Sequence, residues 1–433
     1  MRPCCSSRSS PALLPIWPFP HTNPGRRFAR PTTAERTMAP PPPELIDDVA
    51  AEIFLRLPPD EPEHLVRASL VCKPWLRVIS DPDFLRRYRT FHRTPPLLGY
   101  AYRLRIHEED PEPRLIPTTA VPLTPNPNFR RAIDCNHGRV LLHAYDEDYY
   151  YYLIVWDPVT GDRQSVPEPE IDWLIYSAAV FCAVSGCDHL NCHGGPFRVV
   201  FIATDERDSK CRGVKACVYS SETGAWSRPV TLGDGCQTYV HHMQDGRNCG
   251  YYGRFDIPYV QPRRGAVIGD EIYFTVHKDA AIVKYDCSKN CLSMINAPSK
   301  DQYNIALMEM KDGSLGFVYI KGSNLYIWSR KVNSEGAAEW VKFRVIKLKT
   351  MIPTANSHDK LYVVGAAEGV GVIFVSSSAG LFTIKLNSGQ VKKVNEPGVY
   401  FSILPYMSFC TPDCGKIIAR KAEDSLISDV PCN

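Results

Sequence analysis

Two hydrophobic rhythms divide the chain. Between Leu45 and Phe91 apolar positions return every three or four residues, whereas beyond Leu97 they alternate or run in short blocks. In the first segment Ile46, Val49, Ala50, Ile53, Phe54 and Leu57 fall on one helical face. The spacing predicts a helix over 47–56, with Asp47 and Asp48 at its electropositive start and Pro58-Pro59 stopping it. A second helix should open at Pro62, where a missing N–H costs nothing, and carry Leu65, Ala68, Ser69 and Cys72. Pro74 and Pro82 each begin a further short helix, the last capped by Asp81 with Phe84, Tyr88 and Phe91 along one side. A bundle this small cannot cover so much apolar surface by itself, because chains below about 60 residues hide too small a fraction of it. The surplus predicts a partner.

The second rhythm begins after Pro95-Pro96, with a boundary at 92–96 and a first alternating strand over 97–106. From there the recurring unit is strand, tight turn, strand. An aromatic and branched run (YYYLIVW) meets Asp157-Pro158-Val159-Thr160-Gly161 and resumes at Arg163. The same grammar returns around Ser220 to Gly224, around Asp286 to Asn290, between Trp328 and Trp340, and at Asn387-Ser388-Gly389. Such turns lie roughly 45 to 65 residues apart, the period of four-stranded propeller blades with loop insertions. Paired inner strands are expected at 139–143, 197–203, 271–276, 314–320 and 370–375. The fold expected is mostly β: a small all-α bundle, then a β-propeller-like domain of about six or seven blades, with two β-sandwiches as the competing arrangement. Four regions follow: a disordered extension over 1–37, a helical domain over 38–94, the propeller-like domain over 97–415 and a flexible tail over 416–433.

The helical segment resembles an F-box. That family's signature is a Leu-Pro pair, a helix, an Arg-Leu-Pro stop and then Val-Cys-Lys-x-Trp. Here these are Leu45-Ile46, Arg56-Leu57-Pro58 and Val71-Cys72-Lys73-Pro74-Trp75. Ile46 stands where the family has proline, which keeps the apolar bulk and gives up the rigid turn. The resemblance implies docking onto a Skp-family adaptor through Leu45, Ile46, Val49, Ile53, Leu57, Pro58, Leu70, Val71 and Cys72, with Trp75 beside them packing the bundle. It further implies a cullin scaffold behind the adaptor and a helix-in-groove interface. A plain helical subdomain sealed against the C-terminal body is the other arrangement that helical periodicity alone allows. The body is similar to the propeller-type associated domain that follows the F-box in many plant proteins. Its motifs are Val155-Trp156-Asp157-Pro158-x-Thr160-Gly161, Val218-Tyr219-Ser220-Ser221-Glu222-Thr223-Gly224-x-Trp226, Gly269-Asp270-x-Ile272-Tyr273-Phe274 and Leu404-Pro405-Tyr406.

Charge changes this picture little. Fifty Lys and Arg against 47 Asp and Glu leave a net charge of +3, so no global field advertises a nucleic acid or a membrane. No apolar run reaches the roughly 18 residues of a spanning helix. Sixteen scattered cysteines suit a reduced cytoplasmic or nuclear chain rather than a disulfide scaffold. Residues 1–37 hold six Arg and one Glu among Pro and Ser, a composition shared with organellar transit peptides. Met38 offers the alternative start, leading straight into the helices.

Candidate chemistry is sparse. Cys182, Cys187, His189, Cys192 and His193 could hold zinc, but their spacing fits no standard knuckle, and buried or loop cysteines without a metal are expected. His241, His242 and Asp245 could do acid–base work, yet no nucleophile elbow accompanies them and an inserted loop is the simpler account. The run GAAEGVG over 365–371 belongs to a hairpin rather than a phosphate cradle. KFRVIKLK over 342–349 reads as a strand with one charged face, and Tyr149 to Tyr152 as strand filling. The expected function is a substrate-recognition subunit of an SCF-type ubiquitin ligase. It has no catalytic residue and no cofactor, is a monomer within its complex and holds an unidentified protein target. A ligase-independent F-box/propeller scaffold is the alternative, and a propeller enzyme or metal protein with a decorative head the third class.

Overall fold

In the computed structural model the described residues are 46–103, 114–148, 150–173, 175–205, 213–232, 259–277, 281–298, 305–354 and 359–411. Proline sets the joints of the N-terminal bundle. The helices α1 (Asp47–Phe54), α2 (Pro62–Ser69), α3 (Lys73–Ser80) and α4 (Pro82–His92) follow one another with a proline in the first turn of the last three. The Asp81 carboxylate accepts the N–H groups of Asp83 and Phe84 at 2.8 and 3.1 Å, capping α4 as its sequence requires. Ile46 adopts φ −58°, inside the range a proline ring would impose, so the first turn keeps its shape without the ring. Two expectations are corrected. The second helix ends at Ser69 rather than reaching Cys72, so Leu70, Val71 and Cys72 emerge as an exposed turn. Phe91 is exposed and packs edge-on to His92, whose Nε2 lies 3.1 Å from the Leu55 carbonyl; His92, not Phe91, takes the inward position.

After α4 the chain is all strand among the described residues. It opens with β1 (Leu97–Arg103) and β2 (Leu115–Pro117). The first full blade is β3 (Arg131–Asn136), β4 (Arg139–Tyr145), β5 (Tyr151–Trp156) and β6 (Arg163–Pro167). The second is β7 (Ile175–Cys182), β8 (Phe197–Asp205) and β9 (Gly213–Ser220), with β10 (Ala225–Trp226) and β11 (Val230–Leu232) both on β9. The third is β12 (Ala266–Ile268), β13 (Glu271–Thr275), β14 (Ala281–Asp286) and β15 (Cys291–Asn296). The fourth is β16 (Ile305–Glu309), β17 (Leu315–Lys321), β18 (Asn324–Val332) and β19 (Ala338–Lys347). The fifth is β20 (Tyr362–Ala367), β21 (Val372–Ser377), β22 (Gly380–Lys385) and β23 (Val391–Asn395). The last strand, β24 (Ser402–Met407), pairs antiparallel with β1, from Leu97 opposite Met407 to Arg103 opposite Ser402. The two ends of the body thus share the sixth blade, and the ring closes at six.

Neighbouring blades meet through their innermost strands: β24 on β3, β3 on β7, β12 on β16, β16 on β20 and β20 on β24. The expected inner strands are therefore the second strands of their blades, each bonded to an innermost one. Six separate apolar clusters fill the six gaps between blades. The inner strands are buried on both faces, which is why β7 and β21 read as continuous apolar runs rather than alternating ones. The turns recurring in the sequence are the hairpins between third and fourth strands. Asp157 Oδ1 accepts the N–H of Val159 and Thr160, and Gly161 at φ +82° completes the turn. Asp286 does the same for Ser288 and Lys289. The tryptophan after such a turn ties blades together: Trp226 donates to the Pro167 carbonyl at 2.9 Å and Trp340 to that of Asn296 at 2.8 Å.

Candidate functional site

The bundle has two apolar sides with different fates. One side is seated on the ring: Phe409 and Leu190 join the core made by Phe54, Leu65, Ile79, Phe84 and Tyr88. Tyr88 meets Phe409 edge-on at 6.2 Å, Arg89 donates to Thr411 Oγ1 at 3.1 Å, and Val66 enters the cluster between the closing blade and the first full blade. The other side is open. Ile46 is 71 % exposed, Val71 63 %, Leu70 56 %, Ile53 48 % and Val49 45 %. Ile46, Val49 and Ile53 share one face of α1, and the turn after α2 adds Leu70, Val71 and Cys72. Exposed Pro58 lies beyond the end of α1. Leu57 is half-buried against the bundle core, and Trp75 packs its ring edge-on to Phe54 at 5.0 Å. Leu45 lies outside the described residues. The rim carries charge: Glu52 bonds Arg56 and Arg87, and these contacts hold its carboxyl below the usual range.

At the bundle end of the ring axis lies a cavity whose charged and polar lining includes Arg93, His137, Asp188, Arg264, Glu309 and Glu368. Arg264 sits at its floor between Glu368 and Asp134, the latter at 3.4 Å. Burial works against the Arg264 charge, but Glu368 and Asp134 outweigh it and hold the guanidinium above its usual range. Burial pushes the Asp134 carboxyl up to about 6 against the pull of the shared arginine. Asp134 Oδ2 accepts the Val180 N–H at 2.9 Å, so the group ties β3 to β7. Sequence reading missed this trio, whose members are distant in the chain. Asp134, an acid set between Ile133 and Cys135 in β3, was the available signal.

The cysteine cluster also lies at this end, on the loop from β7 to β8. Cys182, Cys187, His189 and Cys192 have all their ligand atoms within 4.8 Å of one another. His193 is turned away, with Nδ1 on Asp157 Oδ2 at 2.5 Å and Nε2 on Ser408 Oγ at 3.2 Å. The remaining candidates resolve simply. His241, His242, Asp245 and Tyr149, with residues 1–37 and 412–433, lie outside the described residues. Tyr151 is buried in a blade core and Tyr150 exposed. Gly365 to Gly371 spans the β20–β21 hairpin. The basic run falls on β19, but a bulge opposite Ile327 and Trp328 splits its charges between two faces. Lys342 lies over the Trp328 ring at 5.4 Å, and Arg344 donates to the Leu386 carbonyl at 2.5 Å.

Comparison with known proteins agrees with this architecture. Residues 47–92 match an F-box-like family model. Residues 131–413 match the family described as F-box protein AT5G49610-like, beta-propeller. No curated protein matches the chain. Among solved structures, a Lactobacillus plantarum protein is 10 % identical at TM-score 0.39, covering 69 % of this chain and 82 % of that one. TolB from Acinetobacter baumannii is 11 % identical at 0.34, covering 77 % and 71 %. A Mycobacterium tuberculosis puromycin-hydrolyzing peptidase is 11 % identical at 0.32, covering 61 % of this chain and 37 % of that one, so the chain spans little more than a third of its length. These likenesses add nothing to the six-blade topology read from strand pairing. The F-box-like match over the four helices and the propeller match over most of the ring place the chain in the F-box protein AT5G49610-like β-propeller family.

Proposed function

We propose that the chain is the substrate-recognition subunit of an SCF-type (Skp–cullin–F-box) ubiquitin ligase. The observation that carries this reading is the uncovered apolar side of the bundle. Four of its five large side chains, Val49, Ile53, Leu70 and Val71, lie within the F-box match and Ile46 immediately precedes it, while the opposite side is consumed by the ring. Such a face fits the groove of a Skp-family adaptor, and through that adaptor a cullin brings the charged ubiquitin-conjugating enzyme near. The ring holds the protein target. The chain performs no bond chemistry in this scheme; two binding surfaces on one rigid body raise the local concentration of a target lysine around the conjugating enzyme. It acts where adaptor and cullin are, in the cytoplasm or nucleus.

The test is a paired substitution. Leu57 is unsuitable because it packs the bundle core, whereas Ile53 and Val71 are exposed. Ile53→Asp with Val71→Asp should abolish co-purification of the adaptor and cullin while the chain stays folded, since desolvating a carboxylate in an apolar groove costs several kcal/mol. Adaptor capture undiminished in the double variant would refute the docking face. Adaptor capture without cullin by the wild type would instead favour the ligase-independent scaffold.

A further inference from the structure

We propose that Cys182, Cys187, His189 and Cys192 bind one structural zinc ion, and that the metal stiffens the loop on which the helical bundle rests. Two of the ligand separations match a tetrahedral site, and all four ligand atoms lie within 4.8 Å of one another. Cys187 Sγ lies 3.8 Å from Cys192 Sγ, and His189 Nδ1 lies 3.6 Å from Cys192 Sγ. Zinc with sulfur at about 2.3 Å and nitrogen at about 2.05 Å places tetrahedral ligands about 3.8 Å apart for two sulfurs and about 3.6 Å for sulfur and nitrogen. Three thiolates and an imidazole form a soft, closed set with no position left for substrate, as in structural zinc centres.

The chain around the four residues is built to hold them. Cys182 ends β7 in register with Phe197, so the first ligand stands on a rigid strand. Gly186, His189 and Gly194 take φ of +67°, +57° and +66°, which lets so short a loop fold back on itself. The His189 N–H points at Cys187 Sγ at 3.4 Å, a donor that would help disperse thiolate charge. The His189 ring lies flat on His137, centroids 3.7 Å apart and 6° from parallel, and His137 Nδ1 accepts the Cys182 N–H at 3.1 Å. Arg139 donates to the carbonyls of Cys192 and Gly195 at 2.5 and 2.6 Å, clamping the far end of the loop. Orienting contacts of this kind around ligands are what a metal centre needs.

The consequence for the fold comes from Leu190. It lies between the last two ligands and packs against the bundle core. Asp188, Leu190 and Asn191 face Pro82, Leu85 and Arg89 of α4 across a shallow cleft. Fixing His189 and Cys192 on one ion fixes Leu190, and with it the seat of the bundle on the ring.

The full chain, expressed in zinc-replete medium and purified under reducing conditions, is to be assayed for zinc by elemental mass spectrometry and reconstituted with Co²⁺. The expected result is about one zinc per chain. Cobalt should give the intense visible bands and thiolate charge-transfer absorption of a tetrahedral S₃N site. Cys187→Ser should lose most of the metal, and Cys217→Ala, a buried cysteine in β9, should keep it. Chelation of the wild type should raise hydrogen exchange over 183–196 and in α4 while leaving β16 to β18 unchanged, a readout that does not depend on any variant folding. A folded, reduced wild type with no stoichiometric zinc and no cobalt thiolate band would overturn the proposal. So would a Cys187–Cys192 disulfide in the reduced preparation, or zinc retained in Cys187→Ser. Metal present but exchange in α4 unmoved by chelation would overturn the bracing role.

Discussion

The bundle and the ring answer one demand, that apolar surface leave water, in opposite ways. In the ring each sheet has a neighbour on both faces, and closure through β1 and β24 gives the first and last blades the neighbours they would otherwise lack. Six inter-blade cores take up the apolar side chains of the inner strands, and exposed ones such as Val341, Phe343 and Val345 fall on the outermost strand β19. The bundle has one neighbour only. Phe409, Leu190 and the cluster around Val66 take one side, and Ile46, Val49, Ile53, Leu70 and Val71 are left over. A ring satisfies itself by going round; four short helices on its rim must be completed from outside.

The comparison can be broken most sharply by a substitution in each region. Beyond the double aspartate variant, whose effect should fall on adaptor capture alone, Phe374→Ala should fall on stability alone. Phe374 is fully buried between the fifth blade and the closing blade, and its truncation should cost about 3–5 kcal/mol. Thermal and denaturant unfolding would measure the loss, while adaptor affinity below the new transition should match the wild type. A Phe374→Ala chain with unaltered stability would mean that the gap between those blades is not a packed core.

A middle-sized effect comes from pH. His143 is buried in the first blade, beside the Tyr145 and Tyr151 rings and with Nδ1 2.5 Å from the Tyr176 hydroxyl. Burial, with the nearby charges of Arg131, Arg103 and Arg130, lowers its pKa from 6.5 to about 3. The unfolded chain therefore takes up a proton below pH 6.5 that the folded chain refuses until about pH 3. The stability contributed is complete above pH 6.5 and is lost as pH falls. Between pH 6.5 and 5 this one group should cost about 2 kcal/mol. Asp134, raised by burial, has the opposite slope at low pH, so the His143 share is read as a difference. His143→Asn should flatten the fall in melting temperature from pH 7 to 5; an unchanged slope would show that the imidazole does not titrate as its burial requires.

The smallest effect belongs to the first turn. Ile46→Pro should stabilise the bundle by about 0.4–1 kcal/mol, because Ile46 already holds a proline-like φ and the ring would only restrict the unfolded chain. Destabilisation in urea would show that the turn needs the Ile46 side chain or N–H.

What the sequence disclosed follows local chemistry. Proline at the head of three helices, the Asp81 cap and the Asp157 and Asp286 turns act within a few residues, and each appears where its residues place it. Features assembled over long distances were hidden. The blade number depends on β1 pairing with β24, two strands from opposite ends of the body. The innermost strand β12 escaped notice because it is only three residues long. The exposed turn after α2 arises from its early end, which the apolar spacing through Cys72 concealed. The four ligand residues look irregular in sequence because left-handed backbone at Gly186 and His189, not spacing, brings them together.

The central claim is that the open side of the bundle is a binding surface for a Skp-family adaptor. Calorimetric titration of the purified chain with such an adaptor, repeated across temperature, tests it most directly. The account predicts saturable one-to-one binding with a markedly negative heat-capacity change from apolar burial, absent in the Ile53→Asp, Val71→Asp variant. No binding by the folded wild type, or the same heat-capacity change in the double variant, would contradict it.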